Sequence, residues 1–147
     1  IEDQVVPASE EAGLSQIVWS PVAQGVLTGK YLPGRPVPEG SRATDAKGGK
    51  NTISRLLTDD VLTRVQNLRP IADELDLTLA QLAVAWVLQN RNVAAAIIGA
   101  SRPEQIAENV KASGVEIPAE LMSRIDEALG DIVERDPAKT QSPDTRP

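Results

Sequence analysis

Two stretches of the chain combine cationic and hydroxyl side chains with glycine, a combination that suits phosphate binding. The first, residues 17–31, reads Ile-Val-Trp-Ser-Pro-Val-Ala-Gln-Gly-Val-Leu-Thr-Gly-Lys-Tyr and carries a positive charge at Lys30. Gly25 and Gly29 let the backbone approach a ligand closely. The spacing is not that of a nucleoside-triphosphate loop, which needs four residues between the glycines and Ser or Thr after the lysine. A tight surface loop with a solvated lysine is the alternative.

The second stretch, residues 99–109, begins with a glycine at the end of an apolar run and enters a helical pattern within two residues. A helix N-terminus carries unpaired N–H groups and partial positive charge, so it favours an anion. Ser101 offers a hydroxyl and Arg102 a bidentate guanidinium, a suitable pair for a phosphate. Glu108 would repel that phosphate, so we expect it to face donors such as an adenine amino group. An ordinary capped helix is the alternative.

The residue types that most often perform acid–base, nucleophilic or metal chemistry are missing from the sequence. It has no histidine and no cysteine. It therefore lacks the commonest general base, the commonest metal ligand, disulfides and a thiol nucleophile. Its one tyrosine, Tyr31, has no obvious activating partner beyond the neighbouring Lys30. We therefore predict no catalytic residue and no metal site in this chain.

Composition indicates part of a water-soluble globular protein. The 147 residues are 41% hydrophobic and 24% charged, with a net charge of −6 and a pI near 4.7. Negative charge argues against nucleic acid as a partner, and the longest apolar run, residues 93–100, is too short to span a bilayer. We predict no nucleic-acid partner, no membrane partner and a cytoplasmic location. Because the chain starts at Ile1 and its sole methionine is Met122, we expect it to belong to a longer protein.

Hydrophobic patterns and turn signals predict the elements that hold these two stretches. Short apolar runs at 16–19 and 93–98 predict strands buried on both faces. Pro21 ends the first strand and is expected to hold Ser20 extended. A long proline- and glycine-rich loop, residues 32–57, is predicted to be a surface flap anchored only at Ser41-Arg42-Ala43. Helices are predicted from Pro7 to Ala12, from Thr58 to Leu75 with a kink or break at Pro70, from Thr78 to Asn90, from Ser101 to Ser113 and from Pro118 to Gly130.

The predicted order of elements is helix, strand, long loop, two helices, strand, two helices, which is typical of an α/β architecture with parallel strands. Thr78–Gln81 and Ser101–Glu104 have the spacing of capping boxes. Two parallel strands cannot hide both edges of a sheet, and a sheet covered on both faces needs more strands than this chain supplies. The sequence therefore predicts part of a larger α/β fold.

Three motifs, in this order, resemble the C-terminal half of an aldo-keto reductase, nearest the branch that contains the voltage-gated potassium channel beta subunits. They are Trp19-Ser-Pro-Val-Ala-Gln-Gly-Val-Leu-Thr-Gly-Lys-Tyr31, Ser41-Arg-Ala43 and Ile97-Ile-Gly-Ala-Ser-Arg-Pro-Glu-Gln-Ile-Ala-Glu-Asn109. The resemblance covers residues 1–130 and implies a (β/α)8 TIM barrel whose seventh and eighth strands lie in this chain. It also implies NADP at the carboxyl ends of the strands and a small carbonyl substrate. Residues 131–147 lie beyond it and are predicted to be a disordered tail.

The resemblance implies cofactor contacts residue by residue. The nicotinamide and pyrophosphate side would be lined by Trp19, Ser20, Pro21, Val22, Ala23 and Gln24. The pyrophosphate would be wrapped by Gly25 to Lys30, and the phosphate or adenine end would be contacted by Arg42. The 2′-phosphate would be held by Gly99, Ser101, Arg102 and Gln105, and the adenine would be bound by Glu108 and Asn109. Val22 stands where the family usually has leucine. The family's catalytic Asp, Tyr, Lys and His lie in the N-terminal half of the barrel, and no residue of this chain matches them.

These residues predict the NADPH-binding part of an oxidoreductase that transfers hydride between NADP(H) and an aldehyde or ketone. One alternative is a regulatory NADP-binding protein with little turnover, like a channel beta subunit. Another is a half-barrel chain that pairs with a copy of itself or with a partner half.

Overall fold

The computed structural model describes residues 1–47 and 49–139, and within them the chain forms helices around one pair of parallel strands. The helices and strands are α1 Val5–Glu11, β1 Gln16–Trp19, α2 Gly49–Ile53, α3 Asp59–Gln66, α4 Arg69–Glu74, α5 Leu79–Leu88, β2 Val93–Ile97, α6 Pro103–Asn109 and α7 Ala119–Leu129. Short 3-10 turns lie at Ala23–Thr28, Arg42–Thr44, Ser54–Leu56, Val110–Ala112, Gly130–Ile132 and Pro137–Lys139. The predicted α/β class with two parallel strands is confirmed.

Asn92 aligns the starts of the two strands. Its carbonyl accepts a hydrogen bond from the Gln16 N–H at 2.8 Å, and its Nδ2 donates to the Leu14 carbonyl at 2.8 Å. Farther along, Trp19 lies opposite Ile97 in a parallel register. Because parallel strands run in the same direction, their carboxyl ends and the loops that follow meet at one edge of the sheet.

One face of this sheet is uncovered. Ile17 is 65% exposed, Trp19 74% and Ile97 60%. Each strand pairs only with the other in the described chain, so each also has one open edge. The prediction that both faces are buried is wrong for the chain on its own, because its helices cover only the opposite face.

The hydrophobic core lies among the helices, the loop after β1 and the flap. α5 packs against β2 and against the turn Ala23–Thr28. Side chains that are almost completely buried here include Val26, Tyr31, Ile53, Val65 and Leu82. Val26 and Tyr31 therefore hold the loop after β1 against the core.

Local sequence signals place several helix boundaries correctly. The Thr78 Oγ1 accepts from the Gln81 N–H at 3.2 Å, and the Gln81 Oε1 accepts from the Thr78 N–H at 2.8 Å, which confirms the capping box at the start of α5. α3 ends at Gln66 and Pro70 lies in the first turn of α4, which confirms the break. The predicted start of α1 at Pro7 is wrong by two residues, since the helix begins at Val5. Pro7 is tolerated in the first turn because the N–H that it lacks would have no intrahelical acceptor there.

The predicted capping box at Ser101–Glu104 is wrong. α6 starts at Pro103 with Arg102 as its N-cap. The Gln105 Oε1 accepts from the Arg102 N–H at 3.1 Å and from the Ser101 N–H at 2.7 Å. The longer side chain of Gln105 therefore closes this turn in place of Glu104.

The flap, residues 32–57, is more ordered than predicted. It contains α2 and two 3-10 turns, and Ile53 at its far end is 0% exposed, so it is a second anchor beside residues 41–43. Gly48 lies outside the described residues. Residues 140–147 also lie outside the described residues, so the predicted disorder of 131–147 stays a prediction. At the start of this segment, Arg64 Nη2 lies 2.7 Å from the Asp131 carboxylate.

None of the helices in residues 1–47 and 49–139 has the length and apolarity that crossing a bilayer requires.

Candidate functional site

A cavity of about 610 Å³ opens at the carboxyl ends of β1 and β2. Three segments form its walls: the loop after β1, residues 40–42 of the flap, and the loop between β2 and α6. Most of the predicted cofactor contacts line it, namely Trp19, Ser20, Pro21, Val22, Gln24, Gly25, Lys30, Arg42, Gly99, Ser101 and Gln105. The fold thus brings together the flap and the two stretches, residues 17–31 and 99–109, whose composition suits phosphate binding.

The loop after β1 has an unusual backbone. Ser20, Ala23 and Gln24 have φ values of 56, 47 and 59°, in the left-handed region that residues other than glycine rarely adopt. Such residues cost free energy and cluster at functional sites. The expectation of an extended Ser20 is therefore wrong. Its turn is closed instead by the Ala23 N–H, which donates to the Ser20 carbonyl at 2.9 Å.

Two helices fix the end of this loop and with it the start of Lys30. The Gly29 carbonyl accepts from Gln66 Nε2 at 3.2 Å and from Arg69 Nη2 at 3.0 Å. Lys30 then folds back over Gly25, where a side-chain carbon would come 3.4 Å from the Lys30 Nζ. The ammonium group thus lies against the glycine backbone at the cavity wall.

A chain of hydrogen bonds joins the flap to the loop after β1. Arg42 Nη1 donates to Gln24 Oε1, and Gln24 Nε2 donates to Ser20 Oγ at 2.5 Å. Arg42 and Lys30 both line the cavity, and no Asp or Glu of the described residues does. In a chain of net charge −6, this wall is a local concentration of positive charge that favours anions.

The remaining predicted contacts do not line the cavity: Ala23, Arg102, Glu108, Asn109 and, within the range 25–30, Val26, Leu27 and Gly29. Glu108 faces donors within the protein, since its Oε1 accepts from the Lys111 Nζ at 2.8 Å and its carbonyl accepts from Gln81 Nε2 at 2.8 Å. Ser101 Oγ donates to Gln105 Oε1 at 3.2 Å. All the residue roles implied by the resemblance stay predictions.

Sequence reasoning missed some residues of the cavity wall: Gly40, Ser41, Ile97, Ile98 and Ala100. Gly40 and Ser41 directly precede the predicted Arg42, and Ser41 had been assigned only an anchoring role. Ile97 pairs with Trp19 across the strands, so strand register was the missing signal. Trp19 itself lines the cavity, whereas Trp86 packs against the core.

Comparison with known proteins shows the family to which this chain belongs. The sequence profile of the Aldo/keto reductase family matches residues 1–129. The chain belongs to this family. Among its relatives, a probable voltage-gated potassium channel subunit beta of Arabidopsis thaliana is 49% identical over 115 residues, which cover 78% of this chain and 34% of the plant protein. A protein of Oryza sativa subsp. japonica with the same name is 42% identical over 142 residues, 97% of this chain and 42% of its own length.

Other aldo-keto reductase relatives bear enzyme names. The L-glyceraldehyde 3-phosphate reductase of Escherichia coli O157:H7 is 35% identical over 121 residues, 81% of this chain and 34% of its own length. The solved structure of a glycerol dehydrogenase from Gluconobacter oxydans superposes with a TM-score of 0.69 at 24% identity, covering 93% of this chain and 41% of that one. This likeness supports the fold, a part of the family's TIM barrel. The chain thus spans well under half the length of these relatives.

Proposed function

We propose that this chain is the NADP(H)-binding part of an oxidoreductase that transfers hydride between the cofactor and an aldehyde or ketone. One observation carries the proposal: the cavity at the carboxyl ends of β1 and β2 is lined by Lys30 and Arg42 and by no carboxylate of the described residues. The phosphates of a dinucleotide are the anions that such a wall suits. Membership of the aldo-keto reductase family supports the oxidoreductase class.

The residues of the cavity fit the two ends of such a cofactor. Lys30 and Arg42 would hold phosphate groups, and the exposed ring of Trp19 beside Ile97 would offer an apolar surface to the nicotinamide. When bound, NADPH supplies a hydride and NADP accepts one. The work of this chain is then to bind and orient the cofactor.

The proton that accompanies the hydride must come from outside this chain. Reduction of a carbonyl needs a proton donor near the substrate oxygen. Tyr31, the only tyrosine, is 1% exposed and does not line the cavity. We therefore propose that the donor belongs to the missing barrel half, in the same protein or in a partner chain. A cytoplasmic location of that protein stays a prediction.

The preference for NADP over NAD is assigned to the loop that leads into α6. Ser101 and Gln105 line the cavity, and the exposed Arg102 lies between them. A guanidinium there can pair with a 2′-phosphate, which NADH lacks. Glu108 and Asn109, one turn farther along α6, would contact the adenine, which requires Glu108 to exchange its present partner Lys111.

Arg102→Ala in the complete natural protein tests this assignment. We expect the Kd for NADPH to rise by about tenfold or more, because charge-assisted hydrogen bonds to the phosphate are lost. The Kd for NADH should stay within about twofold, since these bonds involve only the 2′-phosphate. Both constants are measured by fluorescence titration. Arg91→Ala, at the amino end of β2, is the matched control and should change neither. Equal losses for the two cofactors would remove Arg102 from the 2′-phosphate site.

A regulatory NADP-binding protein is the second candidate, favoured by the two plant relatives named as potassium channel beta subunits. Both candidates require NADPH binding, so turnover separates them. NADPH oxidation by the complete protein should be followed by absorbance, with aldehydes and ketones of several sizes. Steady oxidation supports the reductase. Tight NADPH binding without oxidation supports the regulatory protein.

A further inference from the structure

Ser41 has a buried, unpartnered hydroxyl in a residue that lines the cavity. The residue is 8% exposed and lines the cavity beside Arg42. Its backbone is fully engaged, since its N–H donates to the Pro38 carbonyl at 3.2 Å and its carbonyl accepts from the Thr44 N–H at 3.0 Å. Its Oγ has no hydrogen-bond partner among the described residues. The hydroxyl therefore contributes nothing visible to the fold of the flap.

Buried polar atoms without partners are rare and cost stability, so each one calls for an explanation. The described chain has three others, Tyr31 Oη, Trp86 Nε1 and Asn92 Oδ1. None of these three residues lines the cavity that bears the two cations. Among the described residues, Ser41 is thus the one place where an unpartnered hydroxyl and a cavity lined by cations coincide.

The neighbours of Ser41 decide which chemistry would satisfy it. Arg42 and Lys30 line the same cavity and supply positive charge without a balancing carboxylate. A serine hydroxyl can donate one hydrogen bond, and anionic oxygens are the strongest acceptors for it. A phosphate oxygen would therefore accept a hydrogen bond from Ser41, and its negative charge would be attracted to Lys30 and Arg42.

We propose that Ser41 Oγ donates a hydrogen bond to a phosphate oxygen of the bound dinucleotide. The inference rests on the proposed function, and it adds the side chain of Ser41 to the binding site. Ser41 then has two roles: its backbone hydrogen bonds shape the flap, and its hydroxyl binds the ligand. The phosphate is either the pyrophosphate, common to NADPH and NADH, or the 2′-phosphate of NADPH.

Ser41→Ala in the complete natural protein tests the proposal, with titration of NADPH and of NADH and thermal melts without cofactor. We expect the Kd for NADPH to rise by about tenfold, because one hydrogen bond to a charged group is lost. The Tm without cofactor should stay the same or rise, since alanine removes a buried hydroxyl that has no partner. A loss shared by NADH identifies the pyrophosphate, and a loss limited to NADPH identifies the 2′-phosphate.

Ser54→Ala is the matched control, because Ser54 lies in the same flap and is exposed, and its hydroxyl donates to the Asn51 carbonyl at 3.1 Å. It should leave both Kd values within about twofold of the unmodified protein. Unchanged affinity in Ser41→Ala would overturn the proposal, as would a lower Tm or a failure to fold, which would give the hydroxyl a structural role. If the unmodified protein bound neither cofactor, the proposed function itself would fall.

Discussion

Gly29 shows how one residue fixes the position of a cation in the cavity wall. Its backbone is left-handed, with a φ of 73°, and a side-chain carbon there would lie 2.5 Å from Leu79 Cδ1 and 2.9 Å from Arg69 Nη2. Its carbonyl is held by Gln66 and Arg69. Because Lys30 is the next residue, any shift of Gly29 moves the start of the lysine side chain.

Gly29→Ala should therefore lower the free energy of unfolding by about 3 kcal/mol, since backbone strain and overpacking add. Gly34→Ala is the matched control, because Gly34 has a φ of 63° but nothing within 4 Å of an added carbon. It should cost only the strain, about 1 kcal/mol. Urea unfolding of the two variants measures the difference. Equal losses of unfolding free energy in the two variants would mean that the side chains of Leu79 and Arg69 move aside at little cost.

At the scale of elements, an ion pair joins α4 to α7. Arg124 donates two hydrogen bonds to the Glu74 carboxylate, at 2.7 and 2.6 Å. The hydrogen bond from Arg124 lowers the pKa of Glu74 below its ordinary value of 4.5, and the same bond raises the pKa of Arg124. Both side chains are partly exposed, so the pair makes only a small contribution to stability.

This pair predicts a pH-dependent difference between Glu74→Gln and the unmodified protein. A carboxylate with a lowered pKa stabilises the fold above its unfolded pKa, and this stability is lost as pH falls through the folded pKa. Glu74→Gln should therefore melt slightly below the unmodified protein at pH 7, and the gap should close below pH 4.5. Glu127→Gln, an exposed carboxylate of α7, is the control. A gap that persists under acid would show that packing, and not charge, links the helices.

The whole molecule is marked by surfaces that its own chain leaves uncovered. Ile17, Trp19 and Ile97 form one exposed apolar face, and Ile106 and Val110 are exposed on the α6 side. Each strand also has an open edge in the described chain. Parallel strands in known folds are covered on both faces. We therefore propose that the rest of the barrel, or a second copy of the chain, covers these surfaces in the working protein.

The purified 147-residue chain should consequently self-associate. Sedimentation velocity at several concentrations should give a mass above the 15.7 kDa of one chain. Replacing Ile17 and Ile97 together with threonine keeps strand propensity while removing apolar surface, and it should shift the distribution towards the monomer. Leu32→Thr, an exposed leucine of the flap, should have little effect. A monomer with a cooperative melt would contradict the argument from open edges.

Local signals in the sequence determined where most elements begin and end. Thr78 and Gln81 cap α5, Pro70 separates α3 from α4, and an apolar run marks β1, because each signal acts between residues a few positions apart. The three motifs at Trp19–Tyr31, Ser41–Ala43 and Ile97–Asn109 together indicated the family that the profile match confirms. The failure at Ser101–Glu104 was local as well, since Gln105 competes for the same N–H groups.

Tertiary structure alone decided which side chains meet. Ser20 is left-handed because its loop closes on itself, and Glu108 is engaged by Lys111 and by the distant Gln81. Ser41 enters the cavity wall because the flap returns to the strand ends, and Ile53 is buried because α2 packs against the turn at Arg42–Thr44. Contacts between residues that are distant in sequence depend on how whole elements pack, and no spacing along the chain encodes that packing.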